Sequence, residues 1–180
     1  PSGQTNTTYQ GSGGVDMGTL FGRLLFATKF QDTNILLSDL VNSESQIMWD
    51  RDPLTRVGKV APWLTLDQDP YPVVVDGRIK WIVDGYTLSN DFPYASRVSL
   101  GEATADSISG ANFASGLIAR DRVNYMRNSV KAVVDAFEGT VSLYAWDESD
   151  PVLRTWRKAF PDVVEPRAEM PDDIIEHVRY

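Results

Sequence analysis

Residues 70–86 read PYPVVVDGRIKWIVDGY, and this stretch decides the fold. Two runs rich in β-branched and aromatic residues flank Asp76-Gly77, a dipeptide typical of a two-residue hairpin loop that needs positive φ angles. Such a loop sets the register of its strands, so that Val75 lies opposite Arg78 and the pairing continues outward from there. We therefore expect a β-hairpin here.

One face of this hairpin is expected to be the core side. It carries Pro72, Val74, Ile79, Trp81 and Val83. In the same register, the backbone nitrogens of residues 70, 72 and 74 point away from the partner strand, so the two prolines remove donors only from the outer edge. We therefore expect strand 71–75 to be an edge strand that is protected against further pairing.

The other apolar segments show helical or extended patterns. Helical spacing predicts helices at 19–30, after Asp32 or Thr33, at 53–61, at 122–137 with Asp121 as N-cap and Gly139 as C-cap, at 151–160 and at 171–180. Residues 140–146 have the pattern of a strand, which we expect to pair with the free side of strand 78–84. Residues 87–120 are rich in Ser, Asn, Gly and Asp and are predicted to be a loop.

These elements predict an α+β fold, in which a small antiparallel sheet (hairpin 71–84 plus strand 140–146) packs with several helices. Residues 1–14 are expected to be a flexible leader, and residues 15–180 a single soluble domain. The chain starts without Met and stops inside a helical pattern. We therefore expect it to be a fragment of a longer protein.

The composition is that of a globular protein and excludes several kinds of chemistry. The chain has 180 residues, is 42% hydrophobic and carries a formal charge of −8, which disfavours nucleic acid as a partner. There is no Cys, so disulfides, thiolate catalysis and Cys-based zinc sites are excluded, and the one histidine, His177, is expected to be exposed. No apolar run approaches the roughly 20 residues of a membrane helix.

Three acidic residues are the main candidates for chemistry. Asp67 and Asp69 enter the hairpin and Asp84 leaves it, with Asp69 expected opposite Asp84. Because like charges directly opposite each other are destabilising, solvent, a basic partner, a raised pKa or a hard cation such as Ca²⁺ must relieve them. Solvent or a Lys or Arg partner is favoured. A metal site at these residues and acid/base catalysis stay open, and no residue is assigned as catalytic or cofactor-binding.

Other polar and aromatic residues have simpler explanations. Asp147, Glu148 and Asp150 form a second acidic cluster, in which Asp150 is expected to cap a helix. Five tryptophans are present, and core packing is favoured over glycan binding because most lie on apolar faces or beside prolines.

Three long strings resemble one family. They are LLFATKFQDTNILLSDLVNSESQIMWDRDP (24–53), VAPWLTLDQDPYPVVVDGRIKWIVDGYT (60–87) and VNYMRNSVKAVVDAFEGTVSLYAWDESDPVLRTWRKAFP (123–161). They are similar to the bacterial uncharacterised protein family UPF0182, which consists of large multi-pass membrane proteins. The resemblance implies that this chain is part of an extracytoplasmic region that follows several membrane helices. It implies no activity, cofactor or catalytic residue.

We therefore expect a non-enzymatic module of a cell-membrane protein that serves binding or assembly outside the membrane. Its expected partners are the membrane portion of the parent chain and, beyond that, envelope proteins, glycans or a weakly bound divalent cation. A second hypothesis is an envelope hydrolase that uses paired carboxylates near Asp69 and Asp84. A third is a cation- or glycan-binding module at the same end of the hairpin, with Tyr71 or Tyr86.

Overall fold

The computed structural model describes residues 9–38, 41–99 and 122–179. By its internal contacts the chain divides into two compact units, Pro1–Trp49 and Asp50–Tyr180. Helices and antiparallel sheets are both present, so the α+β prediction is confirmed. The predicted boundary after residue 14 stays a prediction.

The first unit contains two short strands and two helices. Its elements are β1 (Val15–Asp16), α1 (Leu20–Phe30), α2 (Asn34–Leu37) and β2 (Gln46–Ile47), with β1 antiparallel to β2. Helix α1 was predicted from its apolar spacing, and the Thr19 side chain caps it by accepting a hydrogen bond from the Gly22 N–H. Of the short helix expected after Asp32 or Thr33, the residues Asn34–Leu37 are helical.

The second unit is built on a five-stranded antiparallel sheet. Its elements are α3 (Pro53–Val60), β3 (Thr65–Leu66), β4 (Tyr71–Val75), β5 (Arg78–Ser89), β6 (Val98–Ser99), β7 (Arg122–Val123), β8 (Tyr125–Asp135), β9 (Val141–Ala145), α4 (Pro151–Ala159) and α5 (Asp172–Ile175). The strand order is β3-β5-β8-β9, and β4 also pairs with β5. A separate two-stranded ladder joins β6 to β7.

The predicted hairpin is confirmed in its turn and register. Val75 pairs with Arg78 and Tyr71 with Ile82, and both turn residues have positive φ angles. Strand β4 pairs with β5 alone, as expected of an edge strand. However, β5 runs on to Ser89, so the predicted loop 87–120 begins too early.

The predicted helix 122–137 is wrong, because this segment forms β7 and β8. Strand β8 lies between β5 and β9, and every residue from 129 to 135 is buried. A strand that is covered on both faces has no polar alternation, so its valines coincide with helical spacing by chance. Strand β9 therefore pairs with β8 instead of β5, which corrects the expected pairing of strand 140–146. Gly139 has a φ of 75° in the turn between β8 and β9. Asp121, the predicted N-cap, and residues 100–120 of the predicted loop lie outside the described residues.

Helices cover one face of the sheet. Its core includes Val57 of α3, Val83 of β5, Val130 of β8, Leu143 of β9 and Leu153 of α4. Asp52 and Asp150 start these two helices, each by accepting a hydrogen bond from a backbone N–H, with proline at the first helical position. The predictions of helices at 53–61 and 151–160 are thus confirmed to within about a residue.

The other face of the sheet is covered by the end of the chain. Its buried residues are Tyr71, Val73, Val75, Ile82, Val133, Tyr144, Met170 and Ile174. The prediction that Pro72, Val74 and Ile79 face the core is therefore wrong. These residues, in the part of the hairpin nearer the turn, are exposed. The helix predicted over 171–180 is confirmed only for Asp172–Ile175.

Candidate functional site

The structure separates the three predicted acids. Asp84 is buried in β5, Asp67 is half-buried and Asp69 is exposed. The β4–β5 ladder starts at Tyr71, and the Asp67 N–H donates to the Asp84 carbonyl at 2.8 Å. Asp67 therefore takes the place opposite Asp84 that the sequence assigned to Asp69, because β3 joins the same edge of β5 beyond the start of β4.

A buried lysine relieves the charge of Asp84. The Lys131 Nζ lies 2.8 Å from Asp84 Oδ1, and the exposed fractions of the two side chains are 0% and 7%. The other carboxylate oxygen accepts a hydrogen bond of 3.0 Å from the Asn128 Nδ2. A basic partner, one of the alternatives left open by the sequence, is therefore present at Asp84. Both oxygens of Asp84 are thus engaged within the protein.

Sequence reasoning missed Lys131 because it lies in the segment predicted as a helix. In the true register, Lys131 is directly opposite Asp84 across the β5–β8 ladder. A lysine inside the run SVKAVVD, beside a buried strand that carries an aspartate, was the signal available. This signal could be interpreted only with the knowledge that the two segments pair.

One polar atom beside this ion pair has no partner within the described part of the chain. Asn128 Oδ1 is buried and accepts no hydrogen bond there. Buried acceptors are normally satisfied, so this oxygen still has the capacity to accept a hydrogen bond. Tyr86 lies opposite Asn128 in the ladder, and its hydroxyl is 3.4 Å from Asp67 Oδ2.

A second polar cluster surrounds Asp150. Its carboxylate is fully buried and accepts hydrogen bonds from the hydroxyls of Thr87 (2.5 Å), Ser129 (2.6 Å) and Tyr125 (2.6 Å). It also caps α4 through the Val152 N–H at 2.9 Å. The sequence anticipated the cap but not the three hydroxyls, which come from β5 and β8.

The donors around Asp150 set its ionisation. Burial acts to raise the pKa of Asp150, but the hydrogen bonds from Ser129, Thr87 and Tyr125 outweigh burial and lower it below its ordinary value. Burial, together with the hydrogen bond to Asp150, raises the pKa of the Tyr125 phenol. At neutral pH the cluster therefore holds an ionised carboxylate and neutral hydroxyl donors, which is a stabilising arrangement.

Register in the sheet explains how Ser129 reaches Asp150. The β5–β8 pairing shifts between Gly85 and Tyr86, so that Gly85 faces Val130 and Tyr86 faces Asn128. Ser129 is the extra residue of a β-bulge, which re-aims side chains locally. The bulge thus places the two polar clusters next to each other along β8.

The remaining acids of the second cluster lie nearer the surface. Asp147 Oδ2 is 2.7 Å from the Arg127 guanidinium, and the Ser149 hydroxyl donates to Asp147 Oδ1 at 2.6 Å. The Ser149 hydrogen bond, with further help from Arg127, lowers the pKa of Asp147. Glu148 accepts a hydrogen bond from the Arg167 N–H at 3.2 Å. These contacts hold in place the residues that precede α4.

Several aromatic residues near the sheet are engaged in packing. Trp63 and Trp156 stack with their ring centroids 5.1 Å apart, and Tyr71 is buried with the Arg179 guanidinium 4.2 Å from its ring. His177 is exposed, as expected. A glycan platform at Tyr71 would require displacement of Arg179.

The described residues also bear on the metal hypothesis. Among residues 9–38, 41–99 and 122–179, no group of three or more His, Asp and Glu side chains could hold a metal ion. Lys131 already occupies one oxygen of Asp84. A metal site at Asp67, Asp69 and Asp84 stays a prediction.

Every helix in the described part of the chain is too short or too polar to cross a lipid bilayer.

Comparisons with known proteins identify relatives over almost the whole chain. The profile of the uncharacterised protein family UPF0182 matches residues 1–180. A UPF0182 protein of Frankia casuarinae is 56% identical over 177 residues, and one of Corynebacterium efficiens is 56% identical over 176 residues. These alignments cover 98% of this chain but only 17% and 18% of the relatives, so the chain spans less than a fifth of their length. No solved structure is significantly similar to the chain.

Proposed function

This chain belongs to the uncharacterised protein family UPF0182, and from that premise we propose that it is a non-catalytic binding or assembly module of a larger membrane protein. We propose further that the module lies on the extracytoplasmic side of the cell membrane. Its first partner would be the membrane portion of the same polypeptide. The support for this location is the resemblance to proteins that have several membrane helices before a large extracytoplasmic part.

One observation carries the proposal that the module is non-catalytic. The carboxylate of Asp84 is paired with Lys131, a side chain that is 0% exposed. A general acid or base must come within hydrogen-bond reach of the proton that it transfers. Asp84 would have to give up its buried counter-charge to do so, and Asp150 would have to give up four donors. Such sites favour stability over turnover.

The hydrolase alternative makes a distinct prediction about Asp84. Turnover of an envelope ester, amide or glycoside by the purified chain would contradict the proposal if the carboxylate were required. The suitable variant is Asp84→Asn combined with Lys131→Met, because it removes the carboxylate and its buried counter-charge together. We expect no turnover by the wild-type chain. Turnover that the folded double variant has lost would establish a hydrolase instead.

Cysteine labelling of the full-length parent protein tests the proposed location. The 180-residue chain contains no Cys, so Lys158→Cys on the exposed side of α4 introduces the one thiol of this region, and its labelling is measured as the increase over the unsubstituted parent. We expect a membrane-impermeant maleimide to label it in intact cells. Leu153→Cys, buried on the same helix, is the matched control and should react only after denaturation. Labelling of Lys158→Cys only in permeabilised cells would place the module in the cytoplasm.

A further inference from the structure

The tripeptide Val-Asp-Gly occurs twice in this chain, at residues 75–77 and 83–85. An aspartate that precedes glycine is prone to attack by the next backbone nitrogen on its own side-chain carboxyl, because glycine has no Cβ to obstruct the approach. No other aspartate or asparagine of the sequence precedes a glycine. Since the two copies share the same three residues, the fold is the main source of any difference in their reactivity.

The first copy lies at the tip of the hairpin. Asp76 and Gly77 form the exposed turn between β4 and β5, with φ angles of 51° and 72°. A Cβ placed on Gly77 would meet no neighbouring atom within 4 Å, so the space around this residue is open. Within the described part of the chain, neither the Asp76 carboxylate nor the Gly77 N–H takes part in a hydrogen bond. Both reacting groups are therefore available, and the turn has room to change its torsions.

The second copy is held in the middle of the sheet. Both carboxylate oxygens of Asp84 are engaged, one by Lys131 at 2.8 Å and the other by Asn128 at 3.0 Å. Gly85 is paired with β3 on one side and with Val130 of β8 on the other. Attack by the Gly85 nitrogen on the Asp84 carboxyl would require the ladder to open and the buried ion pair to break. Such openings are rare in a core strand.

We propose that Asp76 is a site of spontaneous isoaspartate formation in the folded protein, whereas Asp84, in the same tripeptide, is protected by the sheet. This modification site is separate from the polar clusters of the sheet. It goes beyond the proposed function, since it concerns the covalent chemistry of the hairpin turn and needs no partner other than water.

The reaction has two steps that together leave the composition unchanged. The Gly77 nitrogen forms a bond to Asp76 Cγ, and the carboxyl OH leaves as water with the hydrogen of the amide, which closes a five-membered imide. Water then adds to one of the two imide carbonyl carbons. Addition at Cγ restores aspartate. Addition at the main-chain carbonyl carbon of Asp76 breaks its bond to the Gly77 nitrogen, so that the chain continues through Cγ and Asp76 has become isoaspartate.

Tryptic digestion of the folded 180-residue chain, after incubation in mildly acidic buffer, tests this inference. Trypsin cleaves after lysine and arginine, so the two copies fall in different peptides, 60–78 and 81–97. The probe is protein isoaspartyl methyltransferase with labelled S-adenosylmethionine, applied to each purified peptide, because this enzyme methylates isoaspartate and not ordinary aspartate. We expect at least about ten-fold more label in peptide 60–78 than in peptide 81–97, since an exposed turn opens far more often than a buried ladder.

Two controls separate the effect of the fold from that of the sequence. In the guanidinium-unfolded chain Asp84 loses its partners, so the two peptides should gain label at rates within about two-fold of each other. Asp76→Ser removes the carboxyl of the turn and keeps a residue that is common in turns. The folded variant should lose the label in peptide 60–78 and leave that in peptide 81–97 unchanged, which assigns the label to Asp76 and not to Asp67 or Asp69 of the same peptide.

Three results would overturn the inference. One is a folded chain that gains no label at Asp76, because the turn would then hold the Gly77 nitrogen away from the carboxyl. Another is equal labelling of the two peptides in the folded chain. The third is the same preference for peptide 60–78 in the unfolded chain, because the residues that follow the two copies, Arg78 and Tyr86, would then account for it.

Discussion

Removal of Lys131 alone should strongly destabilise this protein. Lys131→Met keeps an unbranched side chain of similar length but leaves the Asp84 carboxylate buried without its cation. Asp84 and Lys131 are 7% and 0% exposed, so solvent cannot take over the role of the lysine without rearrangement of the sheet. The Asn128 amide alone would remain on the carboxylate.

The geometry sets the expected magnitude. At the 2.8 Å separation of the two charges, attraction at an effective dielectric constant of about 20 amounts to about 6 kcal/mol. Desolvation of the two ions costs several kcal/mol each, so the pair is near neutral in its net effect on stability. Breaking it is different, because one uncompensated charge stays buried. We therefore expect Lys131→Met to lower the free energy of unfolding by about 3–5 kcal/mol.

Urea unfolding and thermal melting measure this effect. A loss of that size corresponds to a fall of about 10 °C in the melting temperature of a chain of 180 residues. The double variant Asp84→Asn/Lys131→Met should recover most of the loss, since it removes both charges and keeps an acceptor for Asn128. Lys59→Met is the matched control, because Lys59 pairs with Asp50 at the surface and should cost less than about 1 kcal/mol.

Two results would refute this reasoning. A cost below about 1 kcal/mol for Lys131→Met would mean that Asp84 is solvated or neutral in the folded protein. A double variant as unstable as the single variant would mean that the lysine acts through packing of its aliphatic chain and not through its charge. Either result would remove the physical basis for assigning Asp84 a structural role as the ion-pair partner of Lys131.

Two further perturbations test the other acids. Because Lys131 already neutralises Asp84, the melting temperature should change by less than about 1 °C between EDTA and millimolar Ca²⁺ or Mg²⁺; a Ca²⁺-specific rise that Asp69→Asn abolishes would instead establish a cation site. The folded pKa of Asp150 is lowered, so its contribution to stability is complete above its ordinary pKa and is lost as the pH falls through the lower folded value. Asp150→Asn should therefore cost about 2 kcal/mol at pH 7 and flatten the loss of stability below about pH 4, as measured by urea unfolding across that range; an unchanged acid profile would contradict the assignment.

Local features of the sequence predicted local structure well. Asp76-Gly77 identified the turn, the outward nitrogens of Pro70 and Pro72 identified the edge strand, and aspartate-proline pairs marked the starts of α3 and α4. Each of these signals acts through the backbone of a few neighbouring residues. Their outcome therefore depends little on what the rest of the chain does.

The largest error arose where tertiary packing overrides local pattern. Strand β8 is buried on both faces, so alternation vanished and a helical period remained. That error hid Lys131 as the partner of Asp84, and Ser129 and Tyr125 as donors to Asp150. Thr87, the third hydroxyl donor, was missed because it was assigned to the predicted loop 87–120. A candidate site that is assembled from paired strands cannot be recovered when one of the strands is assigned to another element.

By itself the sequence determined the fold class, the hairpin with its register, the aspartate caps of α3 and α4, and the family. Only the tertiary structure decided which face of the hairpin is buried and which base neutralises Asp84. The physical reason is that turns and caps depend on torsions and hydrogen bonds within a few residues. Burial and ion pairing depend on which distant segment packs opposite, here Lys131 across a ladder from Asp84 and Met170 and Ile174 against the face of the sheet.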